Sequence, residues 1–207
     1  VASEPAGDGA TVFIGLGSNL SDPAGQVKRA FGELRGLPAT RLAACSALYR
    51  TAPVGPQDQP DFVNAAVRLE TRLAAGELLA ALQALERAHG RVRNGTRWGP
   101  RTLDLDILLF GDAVVDRPGL RIPHPELTRR AFVLVPLADV APAGLRVPGH
   151  GVLGELLAAC PRDGIRRLGP AAGCGRAAAL AESIAQAASA TGSPSARTDR
   201  RDSEPGA

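Results

Sequence analysis

The chain carries three cysteines in 207 residues, Cys45, Cys160 and Cys174, an odd number with no Cys-x-x-Cys spacing. That pattern supports neither a disulfide framework nor a zinc site, and it reads as free thiols in a reducing compartment. Lysine is almost missing: Lys28 stands alone among 24 basic residues, and the rest are arginine. Charge of one sign is lacking too. A net of only +3 implies, by itself, no nucleic-acid and no membrane partner. No apolar run is long enough to cross a bilayer. The first ten residues show neither a basic start nor an apolar stretch, so no signal peptide and a cytoplasmic location are expected. Gly15-Leu16-Gly17-Ser18 has neither the dinucleotide fingerprint nor a P-loop ending, and it reads as a structural glycine turn rather than a phosphate cradle.

What is present suits one domain with ragged ends: a flexible start over 1–10, a folded unit over 11–160, and a tail over 161–207. From about 169 the composition (Ala, Gly, Ser, Thr, Arg, Pro) predicts disorder. A strand over 11–16 is followed by Asp22-Pro23, an N-cap and first-turn pair. Val27, Ala30, Phe31 and Leu34 then recur at helical spacing. A second strand is expected over 42–49. The stretch 51–60, with three prolines and a glycine, cannot hold a ladder and reads as a functional loop. In a third strand over 62–73, Val63, Ala65, Val67 and Leu69 take one face while Phe62 and Asn64 share the other. Phe62 and Asn64 suit the stacking and hydrogen bonding of a flat polar heterocycle, and they suit ordinary core and strand-edge positions equally well. A helix over 75–89 ends at Gly90. Its terminal His89 reads as solvated, and Glu86 is placed for a ligand or for an arginine. Pro123-His124-Pro125 is rigid and precedes a short helix over 126–132 that carries Arg129 and Arg130. A last short helix is expected over 152–159.

The central stretch is Arg97-Trp98-Gly99-Pro100-Arg101-Thr102-Leu103-Asp104-Leu105-Asp106-Ile107-Leu108-Leu109-Phe110. It begins as a cationic loop and becomes a buried strand, with a hairpin expected over Gly111-Asp112. Strand alternation brings Asp104 and Asp106 out on one face, roughly 6.6 Å apart, with Leu103, Leu105 and Ile107 on the other. Two-metal sites hold their ions roughly 3.5–4 Å apart, and hard oxygen ligands favour magnesium with substrate phosphates. Unpaired carboxylates on a strand this apolar are costly, and Arg91, Arg93, Arg97 and Arg101 arrive just before them. Carboxylates, metal and arginines together can hold a polyphosphate. An RNA-binding module built on the same arginines and Trp98 is disfavoured, because the acids would repel a phosphate backbone. The residues alone choose neither the acceptor nor between phosphate and pyrophosphate transfer.

The order strand–helix–strand–strand–helix–strand is the split βαβ pattern. The expected fold is α+β, ferredoxin-like, with helices on one face of an antiparallel sheet and a loop-rich face left for ligand. Several segments then acquire a family likeness: Gly-Ser-Asn-Leu at 17–20, Tyr-Arg-Thr at 49–51, Gly-Pro-Gln-Asp-Gln-Pro-Asp-Phe-Val-Asn at 55–64, Gly-Arg-Val-Arg at 90–93, the 97–107 segment, and Pro-His-Pro at 123–125. The sequence resembles the 6-hydroxymethyl-7,8-dihydropterin pyrophosphokinase family of the folate pathway. The resemblance implies small-molecule substrates only: pyrophosphate passes from MgATP to the hydroxymethyl group of the pterin, and AMP is released. It further implies a monomer, with two Mg2+ ions held by Asp104 and Asp106. Arg91 and Arg101 would act with those acids as catalytic phosphate clamps, with Arg93 and Arg97 nearby on a mobile loop. Glu86, Ile107, His124 and Arg130 would contact the nucleotide. Phe62 and Phe132 would sandwich the pterin, Asn64 would bond its edge, and Thr51, Pro53 and Val54 would line its site. Trp98 would close over both ligands. Two positions depart from the family's pattern: Phe62 stands where some members carry tyrosine, and Glu126 where an arginine is frequent.

Overall fold

The computed structural model describes residues 9–91 and 99–170. A strand, β1 (Ala10–Ser18), leads into a helix, α1 (Pro23–Arg35). The Asp22 carboxylate accepts from the Gly25 N–H at 3.1 Å, and proline opens the first turn, so the predicted cap pair does start the helix. Next come β2 (Thr40–Cys45), β3 (Leu48–Thr51), β4 (Phe62–Thr71) and α2 (Ala75–Ala88). After them lie β5 (Asp104–Phe110), the small hairpin β6 (Val115–Arg117) and β7 (Leu120–Ile122), and a 3-10 turn over Leu127–Arg129. The chain continues through α3 (Ala131–Val140), β8 (Arg146–Val147), β9 (Gly151–Val152), α4 (Leu153–Ala159) and β10 (Arg166–Gly169).

The main sheet runs β10-β3-β4-β1-β5, with β2 also paired to β4, and its pairings are antiparallel. This is the predicted ferredoxin-like core, β1-α1-β2/β3-β4-α2-β5. One face of the sheet contributes Val12, Ile14, Leu16, Val63, Ala65, Val67, Leu69, Leu105 and Ile107 to a single core with Phe31 and Leu34 of α1 and Leu78 and Leu82 of α2. Each Val, Leu, Ile or Phe among them, taken from water, stabilises the fold by roughly 1.5–3 kcal/mol. The sequence alternation in β4 and β5 exists to feed this face.

Four expectations need correction. The strand predicted over 42–49 is two strands. At the break the Ser46 N–H still donates to the Ala66 carbonyl at 2.9 Å, but the Ser46 hydroxyl accepts from the Ala66 N–H at 2.8 Å and donates to the Ala47 carbonyl at 2.6 Å, so a side chain takes the place of one ladder acceptor. The hairpin lies between β6 and β7, not over Gly111-Asp112, because Gly111 N–H turns back to the Thr11 carbonyl at 2.8 Å. Helices do not keep to one face. The core helices α1 and α2 cover the predicted face, while α3 and α4 pack Leu134, Leu137 and Leu153 onto Phe13, Ala66 and Leu108 of the opposite one. Asp139 pins α3 there, accepting from Tyr49 Oη at 2.8 Å and from the Ala47 N–H at 3.0 Å. Finally, β10 pairs with β3, so the sheet continues past residue 160, where the sequence placed the domain's end.

Two smaller readings also change. His89 is not solvated: its side chain is only 4% exposed, with Nδ1 2.6 Å from Gln26 Oε1 and Nε2 2.6 Å from Glu33 Oε2, which ties α2 to α1. Cys160 is a free thiol, but Cys45 is disulfide-bonded rather than free. Among the described residues no helix is long and apolar enough to cross a membrane.

Candidate active site

The site lies on the α3 side of the sheet, and its floor is glycine. In register, Gly17 of β1 stands between Asn64 of β4 and Asp104 of β5, while Gly15 stands opposite Asp106. A Cβ at Gly17 would come within 3.3 Å of Asn64 Oδ1, and one at Gly15 within 3.2 Å of a Leu108 methyl. Leaving out those two side chains opens a cleft with about 770 Å³ of space free of protein atoms, part of it open solvent. The sequence reading of Gly15–Ser18 as a turn missed this, since both glycines belong to a strand. The signal was there in glycines alternating along an apolar strand, which marks close approach by another group.

Most of the predicted residues meet here. Phe62, Phe132, Thr51 and Val54 wall the cleft, Asn64, Asp104 and Asp106 line it, and Arg101, His124 and Arg130 reach it from the rim. The Asn64 amide donates to Thr51 Oγ1 at 2.9 Å, which sets its orientation and leaves its carbonyl oxygen over Gly17. The guanidinium of Arg101 sits 5.7 Å from the centre of the Phe62 ring, and that of Arg130 sits 5.6 Å from the Phe132 ring. Both spacings fit cation–π contact. A second cleft adjoins the first and is lined by Ile107, Leu79, Arg117 and Arg121. Asp106 and His124 line both clefts.

Other predicted residues stand elsewhere. Glu86 is 2% exposed and lines neither cleft; it accepts from the Leu105 N–H at 2.9 Å and pairs with Arg91. Arg91 bridges Glu86 to Asp104 and so joins Glu86 to the site. Pro53 is buried behind the wall, its carbonyl accepting from Gln57 Nε2 at 3.1 Å. Arg93, Arg97 and Trp98 lie outside the described residues.

The two acids are in opposite electrostatic states. Burial would raise the Asp104 carboxyl, but Arg101 and Arg91, each paired to one of its oxygens, hold it below the usual carboxylate range. Asp106 has no arginine partner among the ion pairs of the described residues; the imidazole of His124 stands beside it, Nε2 at 4.0 Å. The protein packed around it and the charges of Asp104 and Glu86 push its carboxyl up to about 7. Excess negative charge on a partly desolvated pair of carboxylates is what a hard divalent cation relieves. No cluster of three or more metal-ligating side chains occurs among the described residues, so a cation here would complete its shell with water and phosphate oxygens, as magnesium does. The donor set fits that ion. His124 Nδ1 accepts from the Glu126 N–H at 3.2 Å, which places the ring proton on Nε2, facing Asp106. Burial and the nearby Arg130 lower the His124 pKa, so the ring is neutral at pH 7 and donates a hydrogen bond without adding charge. Glu126, the departure noted above, holds Arg130 at 3.4 Å.

Paired acids, bridging arginines and a double cleft on one sheet define a phosphoryl-transfer enzyme. Within that class, residues 13–142 match the model of the 7,8-dihydro-6-hydroxymethylpterin-pyrophosphokinase (HPPK) family; the chain belongs to that family and is a pyrophosphokinase, a transferase. It is 56% identical over 157 residues to the 2-amino-4-hydroxy-6-hydroxymethyldihydropteridine pyrophosphokinase of Pseudomonas aeruginosa, covering 76% of this chain and 96% of that one. The protein of the same description from Haemophilus influenzae is 45% identical over 147 residues, covering 71% and 91%. In fold, the chain resembles the crystal structure of wild-type Plasmodium falciparum HPPK-DHPS with a TM-score of 0.56 at 14% identity, covering 73% of this chain. It spans only 44% of that longer protein, and the likeness speaks for the fold alone.

Proposed function

We propose that the chain transfers pyrophosphate from ATP to the hydroxymethyl oxygen of 6-hydroxymethyl-7,8-dihydropterin and releases AMP, a step of folate biosynthesis. The observation that carries this reading is the meeting of two clefts at Asp106 and His124. The glycine-floored cleft takes the flat ring between Phe62 and Phe132, with the Asn64 carbonyl as acceptor for a ring N–H. The second cleft, beside Ile107, takes the nucleotide, so the phosphates cross the seam.

In the reaction the hydroxymethyl oxygen bonds to the β-phosphorus and gives up its proton, which is released to solvent with the products; the bond from that phosphorus to the bridging α-oxygen breaks, and AMP leaves. The protein contributes mainly position and charge. Arg91 and Arg101, bound to Asp104 in the ligand-free chain, turn onto the phosphates, which frees the Asp104 oxygens. His124 Nε2–H and Arg130 donate to the phosphate oxygens. Two magnesium ions held by Asp104 and Asp106 would neutralise phosphate charge and align the chain of phosphates. Pairing with phosphate oxygens is worth more in the low-dielectric cleft than in water. The loop between β3 and β4 then excludes water, which protects ATP from hydrolysis. The roles of Arg93, Arg97 and Trp98 rest on the family resemblance. A monomer suffices, because every side chain named here comes from one chain.

Asp104→Ala and Asp106→Ala test the reading. Each is expected to cut transfer by at least about 10²–10³-fold while pterin binding, followed by its own fluorescence, persists. Near-normal turnover by either variant at ordinary magnesium would remove that residue from the metal role.

A further inference from the structure

Gly17 of the Gly-Ser-Asn-Leu motif floors the cleft, and two residues on, Asn19 makes three side-chain hydrogen bonds beside it. Asn19 is 1% exposed. Its Nδ2 donates to Gln59 Oε1 at 3.0 Å and to the Pro60 carbonyl at 3.1 Å, at the end of the proline-rich loop between β3 and β4. Its Oδ1 accepts from the Arg101 N–H at 2.8 Å, and its own N–H donates to the Arg101 carbonyl at 3.0 Å. One carboxamide therefore joins the end of β1, the loop that closes the ring cleft, and the backbone of the phosphate-binding arginine. Its orientation is fixed, since the reverse placement would set oxygen against the Pro60 carbonyl and N–H against N–H. Both of its donors and its acceptor are used across three chain segments. Aspartate has no donor for the loop, alanine reaches neither side, and glutamine is one methylene too long for the tight pairing with Arg101.

Arg101 has a second tie to the same wall. Its guanidinium lies over Phe62, the first residue after the loop, and grips Asp104 on the other side. A shift of the loop on ring binding is thus passed to Arg101 both at its backbone, through Asn19, and at its side chain. We infer that Asn19 is a positioning residue that couples closure of the 52–61 loop over the ring to the placement of Arg101 on the phosphates. Each substrate then tightens the site for the other, as reciprocal coupling requires. The inference rests on the function proposed above, and it adds an element outside the binding machinery.

Three variants separate the arms. Asn19→Asp keeps the acceptor for Arg101 and loses both loop donors, Asn19→Ala loses both arms, and Gln59→Ala removes one partner from the loop side. The measurement is the Kd of a non-cleavable ATP analogue with magnesium, with and without saturating hydroxymethyl pterin. The wild-type chain is expected to show tighter nucleotide binding with pterin present, and Asn19→Asp to reduce that ratio by about fivefold or more, with smaller changes in the affinity for either ligand alone. A wild-type ratio of one, or an unchanged ratio in Asn19→Asp, overturns the inference. If the wild-type chain makes no AMP or does not bind pterin, the function reading has failed instead, and amide exchange of the ligand-free protein decides the linkage. Asn19→Asp should speed exchange in the loop while the Arg101 amide stays protected, and Asn19→Ala should expose both. Equal protection of loop and Arg101 in all three proteins overturns the linkage even then. Should Asn19→Ala fail to fold, Asn19→Asp and Gln59→Ala carry the same comparison.

Discussion

Replacing Asp106 with asparagine should stabilise the ligand-free protein at neutral pH while it ends activity. In the folded chain the Asp106 carboxyl titrates at about 7 rather than 3.8, because of the protein packed around it and the charges of Asp104 and Glu86. Below about pH 4 the group is protonated in folded and unfolded chains alike and contributes nothing. Between 4 and 7 the unfolded chain gives up the proton and the folded chain keeps it, so stability falls as pH rises, and the loss is complete above 7. Each tenfold change in acidity corresponds to about 1.4 kcal/mol, giving a ceiling of about 4 kcal/mol. The side chain is 49% exposed, and screening by solvent reduces that to about 1–2 kcal/mol. For a chain of this size the difference amounts to about 3–6 °C in Tm. Thermal unfolding of both proteins from pH 4 to 8, with chelator present, reads it directly. The curves should coincide near pH 4 and separate with rising pH, with the asparagine variant the more stable. Equal stability at every pH, or a less stable variant at pH 7.5, would refute the claim that the site stores unfavourable charge for a cation.

Two further outcomes follow from the geometry. Gly17→Val places a branched side chain on the cleft floor against Asn64 and should weaken pterin binding about tenfold or more, with far-UV CD unchanged; normal pterin affinity would show that the ring binds elsewhere. Asp139→Ala strands the Tyr49 hydroxyl and the Ala47 N–H and should lower stability by about 1–2 kcal/mol; Tyr49→Phe should cost less, and equal losses in urea denaturation would contradict the shared-acceptor role of Asp139.

The parts of this molecule set by local pattern were readable in advance. The period-2 apolar residues of β4, the stripe of α1 with its Asp22 cap, and the paired faces of Asp104 and Asp106 all depend on neighbours a few residues away. What escaped depends on partners far off in sequence. Ser46 breaks a strand by bonding Ala66, and His89 is buried by two α1 side chains. Glu86 lines neither cleft because the Leu105 N–H and Arg91 claim its carboxylate. Gly15 and Gly17 look like a turn until the register sets them opposite the acids. Placement of α3 on the ligand face turns on Asp139 meeting Tyr49, a contact across 90 residues.

The most direct measurement is the fate of the nucleotide. With ATP, magnesium and 6-hydroxymethyl-7,8-dihydropterin, the purified chain should produce AMP and the pterin diphosphate in equal amounts, and no AMP when the pterin is left out. ADP as the nucleotide product, or AMP formed at the same rate without pterin, would contradict pyrophosphate transfer at this site.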